Sequence, residues 1–200
     1  MIGAGVSGMN AAAIALGMQA EVLLLDRNID RLREADAIYQ GHLQTVASNA
    51  YEVERAVLDA DLVIGAVLVP GAKAPTLISN ELVSRMQPGS VLVDIAIDQG
   101  GCFEDSRPTT HAEPTLPGAQ LGVLLRGQHA RCGAATPRTY ALTNVTLPYA
   151  LEPGQPRLAG RARADPALAL GLNTHDGMIT NGPVAQAHGL QHRELADVLG

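Results

Sequence analysis

Three glycines near the start of the chain have the spacing of a phosphate-binding turn. Gly3, Gly5 and Gly8 form the pattern G-x-G-x-x-G, and good helix formers follow them. In this pattern the first glycine permits a tight turn, the second lets the backbone approach a pyrophosphate, and the third lets the helix pack closely on a sheet. The helix N-terminus then offers N–H groups and the positive end of its dipole to the phosphates. The alternative is an ordinary structural turn, because the pattern alone is short.

Asp26 adds a second part to this candidate site. It follows a short apolar run and lies 23 positions after Gly3. This separation is close to the offset of about 20 residues at which a carboxylate binds the ribose hydroxyls of a dinucleotide. A carboxylate there favours NAD, because it repels the 2′-phosphate of NADP. Arg27 and Arg31 lie nearby and weaken that preference, and the alternative for Asp26 is a plain loop carboxylate.

The segments that must position these residues alternate between strand and helix patterns. Short apolar runs such as 21–25 and 62–67 are typical of parallel strands that are covered on both faces. Asp30, Asn49 and Ser79 are the predicted N-caps of three helices. The predicted strands are 21–25, 43–47, 62–67 and 90–96, and the predicted helices are 9–16, 30–40, 50–58 and 80–86.

This alternation predicts βαβ units with right-handed crossovers and a parallel sheet. The fold class is therefore α/β, a doubly wound sheet of the Rossmann type, with the strand order 3-2-1-4-5. Its first strand is truncated, since only Met1 and Ile2 precede Gly3 and a strand usually takes about five residues. We expect the chain to be a fragment whose start lies inside a larger protein.

Composition excludes several other classes of protein. The 200 residues are 46% hydrophobic and 17% charged, which rules out disorder along the whole chain. No apolar run approaches about 18 residues, so we expect no membrane span and no membrane partner. The start does not resemble a secretory signal. Cys102 and Cys132 have no metal-binding or redox spacing, so we expect no metal site and a cytoplasmic location.

Charge argues against a nucleic-acid partner. Residues 1–113 contain 7 basic and 15 acidic side chains, a net charge of −8, whereas residues 114–200 contain 7 basic and 5 acidic side chains, a net charge of +2. An acidic first half is unsuited to a phosphate backbone. With 4 Tyr and 1 Phe, the chain also has few rings on which bases could stack.

Two long segments carry a specific resemblance to a known family. DLVIGAVLVPGAKAP at 61–75 and VDIAIDQGGCFE at 93–104, followed by SRPTT at 106–110, closely resemble the alanine dehydrogenases. The resemblance runs from Gly3 to about Pro114, and it resumes at 140–149 and 173–177. The NAD domain of the proton-translocating transhydrogenases is related and is the nearest competitor.

The resemblance implies an activity, a cofactor and a set of site residues. The family is an oxidoreductase family that converts L-alanine, NAD and water to pyruvate, ammonia and NADH, and its members form homo-oligomers. Asp98 resembles the family's catalytic aspartate, with a helix cap or loop residue as the alternative. Ile95, Ala96 and Ile97 resemble the strand end against the nicotinamide. The other implied cofactor contacts are Val6, Asp26, Arg31, Ser48, Val67, Leu68 and Arg107.

The sequence also departs from the family. The resemblance places the catalytic histidine, and the lysine and arginine that hold the substrate carboxylate, in an N-terminal half that this sequence lacks. None of the six histidines matches that position; they are His42, His111, His129, His175, His188 and His192. We therefore expect the chain to be inactive alone. A non-catalytic NAD-binding module, or the NAD-binding part of a transhydrogenase, is the alternative.

Two internal stretches break the resemblance, and both are typical of GC-rich coding read out of frame. Residues 117–138 are rich in Gly, Ala and Arg, and residues 153–163 contain two prolines and two glycines where the family continues a helix. We expect irregular structure over 115–139 and 153–164, and partly helical structure over 139–151 and 164–177. The predicted domains are 1–114, which binds NAD, and 115–200, a disrupted remnant of the last strand and the C-terminal helices.

Overall fold

The computed structural model describes residues 1–69, 72–109, 115–117, 124–126, 135–150 and 158–199. The chain divides into two compact units. The first comprises Met1–Val69 and Lys73–Ala130, and the second comprises Pro70–Ala72 and Arg131–Gly200. The predicted division at 114 and 115 stays a prediction.

The first unit alternates strands and helices along most of its length. Its helices are α1 (Val6–Gly17), α2 (Ile29–Tyr39), α3 (Ala50–Asp59) and α4 (Asn80–Ser84), with a short 3-10 helix at Ile97–Gln99. Its strands are β1 (Leu23–Asp26), β2 (Gln44–Ala47), β3 (Leu62–Gly65), β4 (Val91–Asp94), β5 (Thr115–Pro117) and β6 (Leu124–Arg126).

These strands form a mainly parallel sheet. β1 pairs with β2, and β3 pairs with β4, which in turn pairs with β6, all in parallel; β5 joins β6 antiparallel. Ile2 links the two parts, since it forms parallel bridges to Leu25 of β1 and to Gly65 of β3. The order is thus β2, β1, Ile2, β3, β4, which is 3-2-1-4-5 by position along the chain. This confirms the predicted doubly wound α/β fold.

The short first strand holds its central place through backbone hydrogen bonds on both sides. On one side Leu25 N–H donates to Met1 O at 2.9 Å, and Gly3 N–H donates to Leu25 O at 2.7 Å. On the other side Ile2 N–H donates to Ile64 O at 2.9 Å, and Ala66 N–H donates to Ile2 O at 2.8 Å. Three residues therefore place the turn that follows them between β1 and β3.

The apolar core covers both faces of this sheet. Successive residues of a strand point to opposite faces, and Leu24 and Leu25 of β1 are both almost fully buried. Leu25 belongs to a cluster that also contains Ile2, Val53, Val57, Val63, Ala74, Ile78, Leu82, Val83, Met86, Leu92, Ala96, Cys102 and Phe103. Leu24 belongs to the opposite cluster, with Ala4, Ala12, Val22, Leu32, Ala35 and Leu43.

The helices begin close to their predicted positions, with one correction. Asn49 caps α3 and Ser79 caps α4, as the sequence predicts. The prediction that Asp30 caps the second helix was wrong, because Asn28 is the cap. Its side-chain oxygen accepts hydrogen bonds from the N–H groups of Asp30 at 2.9 Å and Arg31 at 3.4 Å. Asp30 lies inside the first turn of α2.

The second unit is mainly helical. Its elements are α5 (Ala135–Ala150), α6 (Leu158–Ala164), α7 (Pro166–Leu170), β7 (Thr174–His175), β8 (Met178–Ile179), α8 (Gly182–His188) and α9 (Leu195–Leu199). Helices α5 and α7 agree with the prediction of partly helical structure over 139–151 and 164–177. No helix in the described part of the chain is long and apolar enough to cross a membrane.

The expectation of irregular structure was wrong wherever the structure describes those stretches. Thr115–Pro117 and Leu124–Arg126 are strands, and β4 offers β6 a backbone edge with which to pair. Leu158–Ala164 is a helix, because Pro153 and Pro156 precede it and so do not interrupt its hydrogen bonds. The rest of 115–139 and 153–164, apart from the start of α5, lies outside the described residues.

Candidate functional site

Gly3 and Gly8 are required by the packing of the first turn. Gly3 has a φ of +105°, and a Cβ there would lie 2.8 Å from the carbonyl oxygen of Ala66. A Cβ on Gly8 would lie 1.8 Å from the carbonyl oxygen of Gly3. The backbone of α1 therefore approaches the turn so closely that only glycine fits at these two positions.

Gly5 differs from its two neighbours in the motif. Its backbone is extended, with φ −78° and ψ −172°, which any residue adopts. Among the described residues, a Cβ on Gly5 would come within 4 Å of one atom, Arg31 Nη1 at 3.7 Å. The protein itself therefore does not require glycine here, and the motif leaves space above Gly5 where the second glycine admits a pyrophosphate.

The start of α1 is suited to an anion. Gly5 is its N-cap and supplies no side chain to the first N–H groups, and the first turn holds no acidic residue. The helix has 12 residues, so its aligned peptide dipoles place a partial positive charge at this end. Val6 begins the helix and is 83% exposed. The turn thus presents accessible N–H groups beside the space above Gly5.

Asp26 ties the end of β1 to this turn. Its Oδ2 accepts a hydrogen bond from Ala4 N–H at 2.6 Å, and its Oδ1 accepts one from Asn28 N–H at 2.7 Å. A carboxylate has about four acceptor positions, so two remain for other donors. Asp26 is therefore more than a plain loop carboxylate, and the hydrogen bond to Ala4 N–H is a role that sequence reasoning missed.

The other candidate contacts follow the carboxyl ends of neighbouring parallel strands. Ser48 comes directly after β2, and its N–H donates to Asp26 O at 2.8 Å. Val67 and the exposed Leu68 follow β3. Ile95 follows β4, and its N–H donates to Gly65 O at 2.9 Å. Ligands of doubly wound sheets bind at this edge, beside the point where the strand order reverses.

The loop after β4 holds the remaining predicted residues in different environments. Ala96 and Ile97 are buried, so their side chains pack inside the protein. Asp98 is exposed on the short 3-10 helix, and Arg107 is exposed after the loop. The structure therefore places Asp98 and Arg107 where a ligand could reach them, and it places Ile97 in a supporting position.

Asp94 is a residue of this region that sequence reasoning missed. It ends β4 and is 2% exposed. Its Oδ1 accepts from Ala96 N–H at 3.0 Å, and its Oδ2 accepts from Cys102 N–H at 2.7 Å and from the Ser106 hydroxyl. The sequence does contain a signal for this role, since Asp94 is an acidic residue at the end of an apolar strand. A carboxylate buried there needs hydrogen-bond partners nearby.

Cys102 packs against the end of β3. A Cβ on Gly65 would lie 3.2 Å from Cys102 Cβ and 3.1 Å from Phe103 Cζ, so glycine is needed for the loop to approach. Burial and the neighbouring charge of Asp94 raise the pKa of the Cys102 thiol to about 11. Cys102 is therefore a neutral, structural thiol. No cluster of His, Cys, Asp or Glu among the described residues could hold a metal ion.

A separate cleft of about 630 Å³ lies near the C-terminal ends of α1 and α2. Helices of βαβ units end at the amino edge of the sheet, so this cleft is remote from the carboxyl ends described above. Its lining residues are Leu16, Gly17, Gln19, Ala20, Ile38, Tyr39, Gln40 and His42. None of the predicted site residues lines it.

The sheet order and the glycine turn define a doubly wound α/β domain of the kind that binds nucleotides at its carboxyl edge. A family model described as the alanine dehydrogenase/PNT C-terminal domain matches residues 1–182. The chain therefore belongs to this family, which confirms the resemblance carried by 61–75 and 93–104. The matched range also includes the stretches 117–138 and 153–163.

Comparison with individual proteins agrees with this family. An alanine dehydrogenase of Mycobacterium tuberculosis is 54% identical over 201 residues, which cover 100% of this chain and 53% of that protein. A solved L-alanine dehydrogenase has a TM-score of 0.76 at 40% identity, over 94% of this chain and 52% of its own. A transhydrogenase from Sinorhizobium meliloti has a TM-score of 0.59 at 30% identity, over 73% of this chain and 43% of its own. The chain spans about half the length of the curated relatives it matches.

Proposed function

We propose that this chain is the NAD-binding part of an alanine dehydrogenase, acting in the conversion of L-alanine, NAD and water to pyruvate, ammonia and NADH. The observation that carries the proposal is Gly5. Packing within the protein does not require glycine at this position, and Gly5 faces open space beside the N-terminus of α1. The alanine dehydrogenase assignment is favoured over a transhydrogenase because the former matches more of this chain at a higher TM-score.

The contacts at the carboxyl edge support a specific orientation of NAD. Asp26 has acceptor capacity left for the hydroxyls of the adenosine ribose, as the motif requires. The diphosphate lies over Gly5 and the first N–H groups of α1. A dinucleotide then crosses the point where the strand order reverses. Its nicotinamide half therefore extends toward the ends of β3 and β4, near Val67, Leu68 and Ile95.

Asp98 is the proposed catalytic residue of this half. NAD, when bound, accepts the hydride that leaves the substrate carbon. The Asp98 carboxylate is exposed at the same sheet edge, where it can accept a proton from the substrate amine or from the attacking water. The resemblance assigns the partner histidine and the groups that hold the substrate carboxylate to residues that this sequence does not contain.

We therefore propose that the 200-residue chain binds NAD but does not oxidise alanine alone. Positioning of substrate, worth about 7–11 kcal/mol when fully realised, needs a carboxylate-binding group. An absorbance assay of NADH with alanine and NAD at alkaline pH tests this, with Asp98→Asn as the control. Activity that disappears in Asp98→Asn would show that the chain contains a complete substrate site.

The binding proposal is tested by calorimetric titration of the chain with NAD. Gly5→Ala places a methyl group in the space assigned to the diphosphate, while the protein itself accommodates that methyl. We expect NAD affinity to fall at least about tenfold, the effect of about 1.4 kcal/mol of lost binding. The unfolding midpoint in urea should stay close to that of the unmodified chain.

Gly17→Ala is the matched control for Gly5→Ala. Gly17 lies at the other end of α1, and a Cβ there meets no described atom within 4 Å. We expect this variant to bind NAD as the unmodified chain does. Equal NAD affinity in the Gly5→Ala and Gly17→Ala variants would contradict the proposed position of the diphosphate.

The cellular setting and assembly are also part of this proposal. The cysteine content favours the cytoplasm. The small amino-acid substrate and the homo-oligomer are those implied by the family resemblance. Size-exclusion chromatography with light scattering checks the oligomeric state.

A further inference from the structure

We propose that Asp94 is a positioning residue for the nicotinamide half of the cofactor, because it fixes the loop that carries the β4 side of the site. This inference rests on the proposed function, since it concerns how NAD is held. Asp94 itself is 2% exposed, so it acts through the loop and not by touching the ligand.

The hydrogen bonds of Asp94 span the loop from its start to its end. Ala96 is two residues after Asp94, Cys102 is eight residues after it and Ser106 is twelve residues after it. The three donors converge on one carboxylate, so the segment between them folds back on the end of β4. Hydrogen bonds to a charged acceptor are about twice as strong as those between neutral groups.

The loop is built to fit closely around this carboxylate. Gly101 has a φ of +76°, and a Cβ there would lie 2.7 Å from Asp94 Oδ2 and 2.5 Å from Ser106 Cβ. Gly100 has a φ of +97°, and a Cβ there would lie 2.6 Å from Lys73 Cγ. Two successive glycines in the left-handed region therefore let the chain turn directly over Asp94.

The segment held in this way contains Ile95, Ile97 and Asp98 and ends just before Arg107. The adenosine half of the site depends instead on Gly5, Asp26 and the start of α1, on the other side of the switch point. Substitution of Asp94 should therefore weaken binding of the nicotinamide half and leave binding of the adenosine half unchanged. This difference separates a positioning role from a general loss of stability, which would weaken both.

The test compares two ligands in calorimetric titrations of the whole chain. NADH contains both halves of the cofactor, whereas ADP-ribose has the adenosine, both phosphates and the second ribose without the nicotinamide. Asn at position 94 keeps the shape of the side chain but has one acceptor oxygen in place of two. We expect Asp94→Asn to weaken NADH binding about tenfold, since it leaves charge-assisted hydrogen bonds of the loop unmade. ADP-ribose affinity should stay within about twofold.

Nicotinamide fluorescence gives a second, independent readout. An ordered loop holds the nicotinamide of NADH rigidly, so the emission of bound NADH at saturation should be lower in Asp94→Asn than in the unmodified chain. Ser106→Ala removes one donor from a half-buried position. It should change the NADH-to-ADP-ribose affinity ratio in the same direction and by a smaller factor, and it keeps the test decisive if Asp94→Asn does not fold.

Ser90→Ala is the matched control. Ser90 is a buried residue directly before β4, and its hydroxyl donates to Ala60 O at 3.0 Å at the opposite edge of the sheet. The Ser90→Ala variant loses one buried hydrogen bond that does not involve the loop, so its affinities for NADH and for ADP-ribose should be unchanged. Equal losses of NADH and ADP-ribose binding, or no loss, in Asp94→Asn and Ser106→Ala would overturn the inference. An unmodified chain that binds neither ligand would instead contradict the proposed function.

Discussion

Asp26 combines a structural and a proposed binding role in one carboxylate. Its two oxygens accept hydrogen bonds from the N–H groups of Ala4 and Asn28, so it joins the glycine turn to the start of α2. Asp26 is also the last residue of β1, at the edge of the sheet where we propose that the ribose lies. Sequence spacing predicts the second role, whereas the first depends on how closely the turn and β1 approach in the folded chain.

Cys102 should be protected from alkylation in the folded chain. The thiol is fully buried and its pKa is raised to about 11, so little thiolate exists at pH 8. We expect iodoacetamide at pH 8 to modify Cys102 slowly in buffer and rapidly in 8 M urea (a concentration of about this size unfolds most small domains). Peptide mass spectrometry separates Cys102 from Cys132, and rapid labelling of Cys102 in buffer would contradict its burial.

The first turn of α2 is fixed by an N-cap, Asn28, that the sequence analysis did not name. Asn and Asp are equally good N-cap residues, and the sequence analysis named Asp30. In the structure β1 ends at Asp26 and α2 begins at Ile29, so Asn28 is the residue directly before the helix and acts as its N-cap. Asp30 then forms an exposed ion pair with Arg33 at 2.9 Å.

This assignment predicts unequal effects of two alanine substitutions. Asn28→Ala removes the acceptor of two helix N–H groups and should lower the free energy of unfolding by about 1 kcal/mol. Asp30→Ala removes an exposed ion pair, which typically contributes little. Urea unfolding monitored by circular dichroism measures both variants. A larger loss of unfolding free energy in Asp30→Ala than in Asn28→Ala would mean that Asp30 is the N-cap.

The elements differ in how far sequence determined them. β1, β3 and β4 were predictable because their apolar runs are continuous, and α3 because Asn49 is followed by Glu52. Leu124–Arg126 was not predictable from its own residues. It is a strand because β4 provides an edge for it, and that depends on pairing between distant parts of the chain. The Asp94 hydrogen bonds were likewise hidden, since they join residues up to twelve positions apart.

At the scale of the whole molecule, the sheet depends on the segment 1–3 at its centre. Met1, Ile2 and Gly3 connect β1 to β3, so the two halves of the sheet meet through them. In a chain that starts at Met1, the α-amino group donates to Leu23 O at 2.7 Å. Burial lowers the pKa of this amino group from 8.0 to about 6.

The lowered pKa predicts that the 200-residue chain loses stability as the pH falls from 8 to 6. The unfolded chain takes up a proton on this amine below pH 8, and the folded chain takes it up only near pH 6. Between these values the unfolded state binds more protons, so its free energy drops relative to the folded state as the pH decreases. A shift of this size corresponds to about 2–3 kcal/mol, fully present above pH 8 and fully lost below pH 6.

N-terminal acetylation isolates this contribution from other titrating groups. The acetylated chain keeps an N–H that can donate to Leu23 O, but it has no amine to protonate. Urea unfolding at pH 6, 7 and 8 should therefore show a steeper loss of stability in the free chain than in the acetylated chain. The difference in unfolding free energy between the two chains should change by about 2 kcal/mol over this range, because the amine is half-titrated at each end of it. Parallel pH profiles would mean that the amino group of Met1 is solvated, and that the first strand does not hold its buried position at the centre of the sheet.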